Sequence, residues 1–515
     1  MVKADLILYN ANVITMESEI HRATGVAIKG DRIIFTGKRE SFDSLMSNDT
    51  KVIDCHHKTI IPGFIDAHCH IFSLIRKLVG LDFSLNDVNS IDDIKRLITE
   101  KSKVLPPGSW IEGTGYNEFY LKEKRHPTRL DLDEAAPNHP VVIAHRSLHS
   151  CVLNSLALNI AGFNRDFHEM KGTRIERDPV TREPNGRLYE MLGYVREKVM
   201  PPLSESDIDY GGKIANELLI SSGITSLNDA SITNNYDRWE IIRRKKDQGI
   251  ILPRISMTAG SETFQSFQNE RFVYNSGDSD LRFLGYKIIL NEATGKVYPP
   301  QPELNRIVLE KQNSGFPVLI HAVTREMVES AINAYEFINN KFPGLNIIQR
   351  IEHCSECPDA ILNRLQNIKP IIVTQPIFVY YNGDRYLKII AENKVTSLYR
   401  FKSLWNAGLT IAAGSDFPVV PHQPLLGIYA AVTRVTEQNQ HLLPDEVITP
   451  YQAMMMYTIN AATASGEESI KGSITPGKLA DLVVLSDDPL AVKPEKIKEI
   501  KVEMTIIGGK IVWSK

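Results

Sequence analysis

The chain has 515 residues, 43% hydrophobic and 23% charged, and a formal net charge of −3. Such a composition belongs to a soluble globular protein, and the length suits a barrel of about 250 residues with appendages rather than one ordinary core. The small net charge removes nucleic acid and anionic membranes as expected partners, no run of roughly 18 or more apolar residues suggests a membrane span, and Met1-Val2-Lys3-Ala4-Asp5-Leu6 lacks a signal-peptide pattern. Five cysteines in so long a chain do not read as a disulfide framework, so a cytoplasmic protein is expected.

Residues 1–60 alternate short β-like runs with turns, the clearest being the hairpin signal Lys29-Gly30-Asp31 between Val26-Ala27-Ile28 and Arg32-Ile33-Ile34-Phe35. They form part of a small β domain with no room for a helix. Ile60 to His70 then reads as one buried strand ending in His68-Cys69-His70. Strand parity puts His68 and His70 on one face and Cys69 on the other. Two neutral imidazoles at a strand end can grip one divalent metal. Residues from about 71 to 205 break any simple strand–helix alternation and read as an insertion after the first barrel strand, where barrels build their active-site mouth.

From about 206 the alternation is regular. Strands are expected at Gly223–Asp229, Pro253–Thr258, Phe283–Leu290, Pro317–His321, Ile347–His353, Pro370–Thr374 and Leu409–Ala413, most separated by helix-length segments such as Glu303–Asn313 and Arg325–Asn339. With the first strand, that makes eight, the count of a closed parallel barrel over residues 61–465. The basic run Arg243-Arg244-Lys245-Lys246 reads as a solvated helix face. Residues 466–515 return to β character, with Gly472-Ser473-Ile474 and Ala480 to Leu485 strand-like and a hairpin at Gly508-Gly509. Short strands at both ends can pair into one sandwich.

Four barrel strands carry further donors. Lys287 lies inside an apolar strand, where a cation must be paired or neutralised; one route is reaction of the neutral amine with carbon dioxide, giving a carbamate that bridges two metals. His321, His353 and Asp416 each close a strand at the expected mouth. One such residue is a weak signal, whereas five sites in this order are not.

These residues carry a resemblance. Asp5-Leu6-Ile7-Leu8, Asn10 to Met16, Pro62 to His70, Gly113-Thr114-Gly115-Tyr116-Asn117, His149, Asn154-Ser155, Ile351-Glu352-His353, Gly414 to Val419 and Gly472 to Asp481 together resemble the amidohydrolase superfamily, in particular its YtcJ-like branch, amidohydrolase family 3. The resemblance covers essentially the whole chain. It implies a distorted (β/α)8 barrel with a β-sandwich from both termini, and a metal centre in which His68, His70 and Asp416 hold one ion, His321 and His353 a second, with carboxylated Lys287 between them. Zinc leads, and manganese, iron and cobalt also suit such donors.

The implied activity is hydrolysis of a non-peptide C–N bond (amide, N-acyl or N-formyl amine, carbamate or cyclic amide) by a metal-bridging hydroxide, with Asp416 as proton shuttle. His149 matches a family position near the metal site and is expected to donate to the developing oxyanion or a substrate oxygen. Deamination, ester or lactone hydrolysis and isomerisation on the same site are the alternatives, followed by a non-catalytic regulator. The partner is a small molecule, and dimers are common among such proteins. Two departures alter the lining of the mouth: Asn291-Glu292 follow near Lys287 where Asp-Gly is usual, and Val323-Thr324 follow His321-Ala322 where Gly-Asp is frequent. Asn154, Tyr116 and His422 are weaker pocket candidates. Cys354 and Cys357 form a C-x-x-C read as a loop before the next helix. A pocket bearing Phe72, Tyr116, Phe119, Tyr120, Phe378, Tyr380 and Tyr381 would favour an aromatic or bulky apolar group.

Overall fold

The computed structural model describes residues 2–19, 22–84, 88–344 and 347–515. Eight strands follow one another round a parallel sheet: β1 (Phe64–Cys69), β2 (Ile224–Asp229), β3 (Arg254–Ala259), β4 (Leu281–Ile289), β5 (Val318–Ala322), β6 (Gln349–His353), β7 (Ile371–Thr374) and β8 (Ile411–Ala413). Aliphatic runs such as Val318-Leu319-Ile320 are buried throughout, as both faces of a parallel sheet require. Helices Gln301–Asn313 and Arg325–Lys341 cross between strands. The second starts at Thr324, whose hydroxyl accepts from the Met327 amide at 3.4 Å, and carries Glu326 in its first turn and Lys341 in its last.

Ring closure is incomplete. Instead of a ladder between β8 and β1, the segment after β8 reaches across: Asp416 N–H donates to the His68 carbonyl at 2.7 Å and His70 N–H to that of Phe417 at 2.9 Å. The barrel is therefore distorted at the edge where its first and last strands meet.

The expected strand Ile60–His70 is two strands. Thr59–Pro62 pairs antiparallel with Leu482–Leu485 in the sandwich, and Phe64–Cys69 enters the barrel. The break falls at Gly63, which lies against the Thr225 side chain with no room for a Cβ. The sandwich sheet also holds Leu6–Ile14, Arg22–Lys29, Arg32–Gly37, Lys51–Asp54, Val502–Ile507 and Lys510–Ser514, around a core that includes Leu8, Val13, Val26, Ile60, Leu482 and Ile506. Two single-turn 3-10 helices, Arg39–Ser41 and Asp43–Leu45, occur where no helix is expected. Gly472–Ile474 is not a strand: Gly472 has φ +88° and sits so close to the helix Ile459–Ala464 that a Cβ would lie 2.8 Å from that of Ala462.

Two compact units result. One, comprising Met1–His70, Asn216–Ile289 and Gln301–Lys515, contains sandwich and barrel. The other, Ile71–Ala215 with Leu290–Pro300, has its own six-stranded sheet in the order Arg174–Arg177, Pro184–Tyr189, Ser150–Leu153, Val141–His145, Ile111–Tyr116, Leu81–Asp82. Its strands are short, which is why their periodicity does not stand out in the sequence. Among the described residues no helix is long and apolar enough to cross a membrane.

Candidate metal centre

His68 is the fifth residue of β1 and His70 follows directly after the strand. Asp66, two residues before His68, accepts from the Ser415 amide at 3.0 Å and hydroxyl at 2.5 Å, and so ties β1 to the loop that presents Asp416. Gly414 makes the approach possible, since a Cβ there would lie 2.6 Å from both the backbone nitrogen and the Cβ of His68. Asp416 itself is in the left-handed region at φ +57°. The result is that Asp416 Oδ1 lies 3.0 Å from His70 Nε2 and 3.6 Å from His68 Nε2. One donor atom from each of His68, His70 and Asp416 falls within 4.8 Å of the others, a set that can hold a metal ion.

His353 and His321 continue the row. Ring centroids are 5.3 Å apart for His70 and His68, 4.9 Å for His68 and His353, and 4.4 Å for His353 and His321. His353 ends β6 at φ +71°, so strict strand parity no longer governs its direction. Its Nδ1 lies 2.8 Å from Gln375 Oε1, which can only accept, leaving Nε2 as the lone-pair nitrogen.

Electrostatics suit the same purpose. Burial, reinforced by Lys287, pushes the His68 imidazole down to about 3, so it is a neutral donor. Burial also lowers His353. Burial opposes ionisation of Asp416, yet the hydrogen bond with His70 and the neighbouring imidazoles hold it well below the usual carboxylate range. Lys287 is 2% exposed, and its Nζ has no hydrogen-bond partner among the described residues. Burial pushes this amine down to about 8. An orphaned buried amine beside neutral imidazoles and an ionised carboxylate fits a site completed by cations.

Three features of the centre lie outside the sequence reading. Glu352, fully buried, accepts from His68 Nδ1 and is gripped by Arg350, whose Nε and Nη2 donate at 2.9 and 3.2 Å. Gln375 orients His353. Ser231 Oγ lies 2.9 Å from His70 Nδ1 and donates to Asp229 Oδ1 at 2.5 Å. Glu352 stands inside the quoted Ile351-Glu352-His353 motif, and Asp229 and Ser231 follow the expected pattern of residues at a strand's C-terminal end. Those positions were the available signals; the pairings had none.

The remaining candidates have partners of their own. His149 belongs to the second unit, where its Nδ1 meets the Glu190 carboxylate at 2.9 Å. Asn154 is engaged as a helix cap, accepting from the Val141 and Ala157 amides and donating to the His139 carbonyl. Tyr116 is fully buried with its hydroxyl 3.2 Å from His126 Nδ1. His422 donates to the Leu218 carbonyl at 2.8 Å and packs on Phe417. Cys354 and Cys357 are buried free thiols, with Cys354 pushed up by its hydrogen bond to Cys357 and by burial. Cys69 Sγ faces the Asn228 carbonyl at 3.6 Å. The aromatic candidates divide between the units: Phe72, Phe119 and Tyr120 in the second, Phe378, Tyr380 and Tyr381 in the first.

Comparison with known proteins adds an independent line. A family model described as an amidohydrolase family matches residues 51–513. The N-substituted formamide deformylase of Arthrobacter pascens is 28% identical over 98% of this chain and 97% of its own. The Bacillus subtilis protein YtcJ is 27% identical over 99% of each chain. Among solved structures, an uncharacterized metal-dependent hydrolase from Pyrococcus horikoshii shares the fold with a TM-score of 0.75 at 24% identity, covering 95% of this chain and 99% of that one.

Proposed function

The chain belongs to the amidohydrolase family of metal-dependent hydrolases, and from that premise we propose that it cleaves the C–N bond of a small N-acyl or N-formyl amine or a related amide, carbamate or cyclic amide. His68, His70 and Asp416 would hold one divalent ion, His321 and His353 a second, and carboxylated Lys287 would join them. The observation that carries the reading is the convergence of His68, His70 and Asp416 in the unit that also buries the Lys287 amine, which has no hydrogen-bond partner among the described residues. The similarity to a formamide deformylase over nearly the whole chain supports the choice of substrate class. A single-metal deaminase would have no use for that lysine. Five buried free thiols suit the cytoplasm.

Divalent ions at these donors supply Lewis acidity, polarising a carbonyl and activating water near neutral pH. The chain's own residues do the rest. Lys287, with its pKa lowered to about 8, is partly neutral at physiological pH. Its amine can therefore form an N–C bond to carbon dioxide and release one proton to solvent. Asp416, ionised and adjacent to His70 Nε2, accepts the proton lost on attack and returns it to the leaving nitrogen.

The test is a screen of N-formyl and N-acyl amines, carbamates and cyclic amides with protein purified without chelator, alongside elemental analysis. Asp416→Asn should lower kcat by about 10²-fold or more, the range for loss of a positioned acid–base group. Full turnover by a metal-loaded Asp416→Asn protein removes Asp416 from proton transfer. No cleavage of any member by protein reloaded with zinc, manganese or cobalt removes the C–N hydrolase reading.

A further inference from the structure

His70 is held differently from His68. His68 Nδ1 meets a carboxylate directly, whereas between His70 and Asp229 stands the hydroxyl of Ser231. Ser231 has one hydroxyl hydrogen, and Asp229 Oδ1, 2.5 Å away, can only accept it. Ser231 Oγ therefore has only lone pairs to offer His70, so His70 must donate from Nδ1 across the 2.9 Å contact. Its Nε2 then faces Asp416 Oδ1 at 3.0 Å. A divalent ion held between His70 Nε2 and Asp416 Oδ1 would take one lone pair from each.

We propose that Ser231 and Asp229 are positioning residues that commit His70 Nδ1 as a donor and thereby present Nε2 to a divalent ion, setting the affinity of the His68–His70–Asp416 site. This rests on the metal-centre reading above. A second observation points the same way: Asp229 is fully buried, yet its Oδ2 has no hydrogen-bond partner among the described residues. Folding alone does not account for a half-satisfied carboxylate at the end of a barrel strand, whereas a nearby dication, felt through Ser231 and His70, balances its charge.

A local role can be separated from this one. The Ser231 amide also donates to Asp229 Oδ1, at 3.1 Å, which closes a turn after β2. Ser231→Ala keeps that amide and removes only the hydroxyl, while Ser231→Thr keeps both. Metal-free parent and variants would be titrated with Zn²⁺ against a chromophoric chelator, and their Co²⁺ derivatives compared by visible absorption. Ser231→Ala should bind Zn²⁺ about 10- to 100-fold more weakly and change the Co²⁺ bands. Ser231→Thr should restore both affinity and spectrum. Parental affinity in Ser231→Ala, or equal losses in both variants, overturns the inference while leaving the metal centre standing. A parent that binds neither ion overturns the metal centre and this inference with it.

Discussion

An amine that is 2% exposed and has no hydrogen-bond partner among the described residues destabilises the fold that contains it, unless something else occupies its surroundings. Lys287 therefore separates stability from function. Lys287→Met keeps the length of the side chain and removes the polar end. Urea unfolding of the metal-free protein should show a midpoint equal to or above the parent's, by up to about 1 kcal/mol, while elemental analysis of protein purified without chelator shows a sharp loss of metal. A variant that is clearly less stable and keeps its metal would instead make Lys287 an ordinary core residue. At this scale the donors were readable from sequence: His68, His70, Lys287, His321, His353 and Asp416 all stand in or just beyond strands with an obvious apolar run. Their partners were not, because Glu352 lies 284 residues from His68, and Ser231 161 residues from His70.

Between elements, the decisive junction is the seam where β8 returns to β1. Here the segment Gly414–Phe417 replaces a regular ladder, and Asp416 is delivered to the imidazoles by backbone hydrogen bonds to β1 rather than by strand pairing. Gly414 allows this approach. In Gly414→Ala the new Cβ would meet backbone and Cβ atoms of His68 at 2.6 Å, neither of which is a flexible side-chain end. The seam should open, with a loss of about 1–3 kcal/mol, the range for overpacking, and metal affinity should fall in parallel. Denaturant unfolding and chelator competition on one preparation measure both. Loss of stability with unchanged affinity would show that Asp416 keeps its place without the close seam.

Over the barrel as a whole, the ends of the strands do different work. The candidate metal donors gather at the C-terminal ends, whereas residues near the N-terminal ends of β2, β3 and β4 are clamped by the segment after helix Ile459–Ala464. Glu467 pairs with Arg282 at 2.9 Å and Lys471 at 2.8 Å and accepts from Ser256, and Lys471 reaches Ser226. Burial opposes ionisation of Glu467, but Lys471 and Arg282 outweigh it and hold the carboxyl at about 2. A folded-state pKa below the unfolded value of about 4.5 means the contribution is complete above pH 4.5. It is lost as pH falls towards 2. Glu467→Gln, which leaves the buried Lys471 and the partly buried Arg282 underpaired, should cost about 3–5 kcal/mol at pH 7 and flatten the acid limb between pH 4.5 and 2. Chemical unfolding across that range checks both, and an unchanged acid limb would assign the pH dependence to other groups.

What the sequence by itself determined was local. Apolar runs of strand length, ending in histidine or aspartate, marked the eight barrel strands and the candidate metal-ligating residues, because burial on both faces imposes an aliphatic pattern that a few residues suffice to show. The β character of both termini was legible for the same reason. Tertiary structure alone decided where the chain passes from sandwich to barrel at Gly63, how the 71–215 segment and Leu290–Pro300 form one unit with its own sheet, and which acceptor fixes each imidazole. Those outcomes depend on register and closure between segments far apart in the chain. A hydrogen-bond partner is chosen by what the fold brings within about 3 Å, and no local pattern of residues carries that distance.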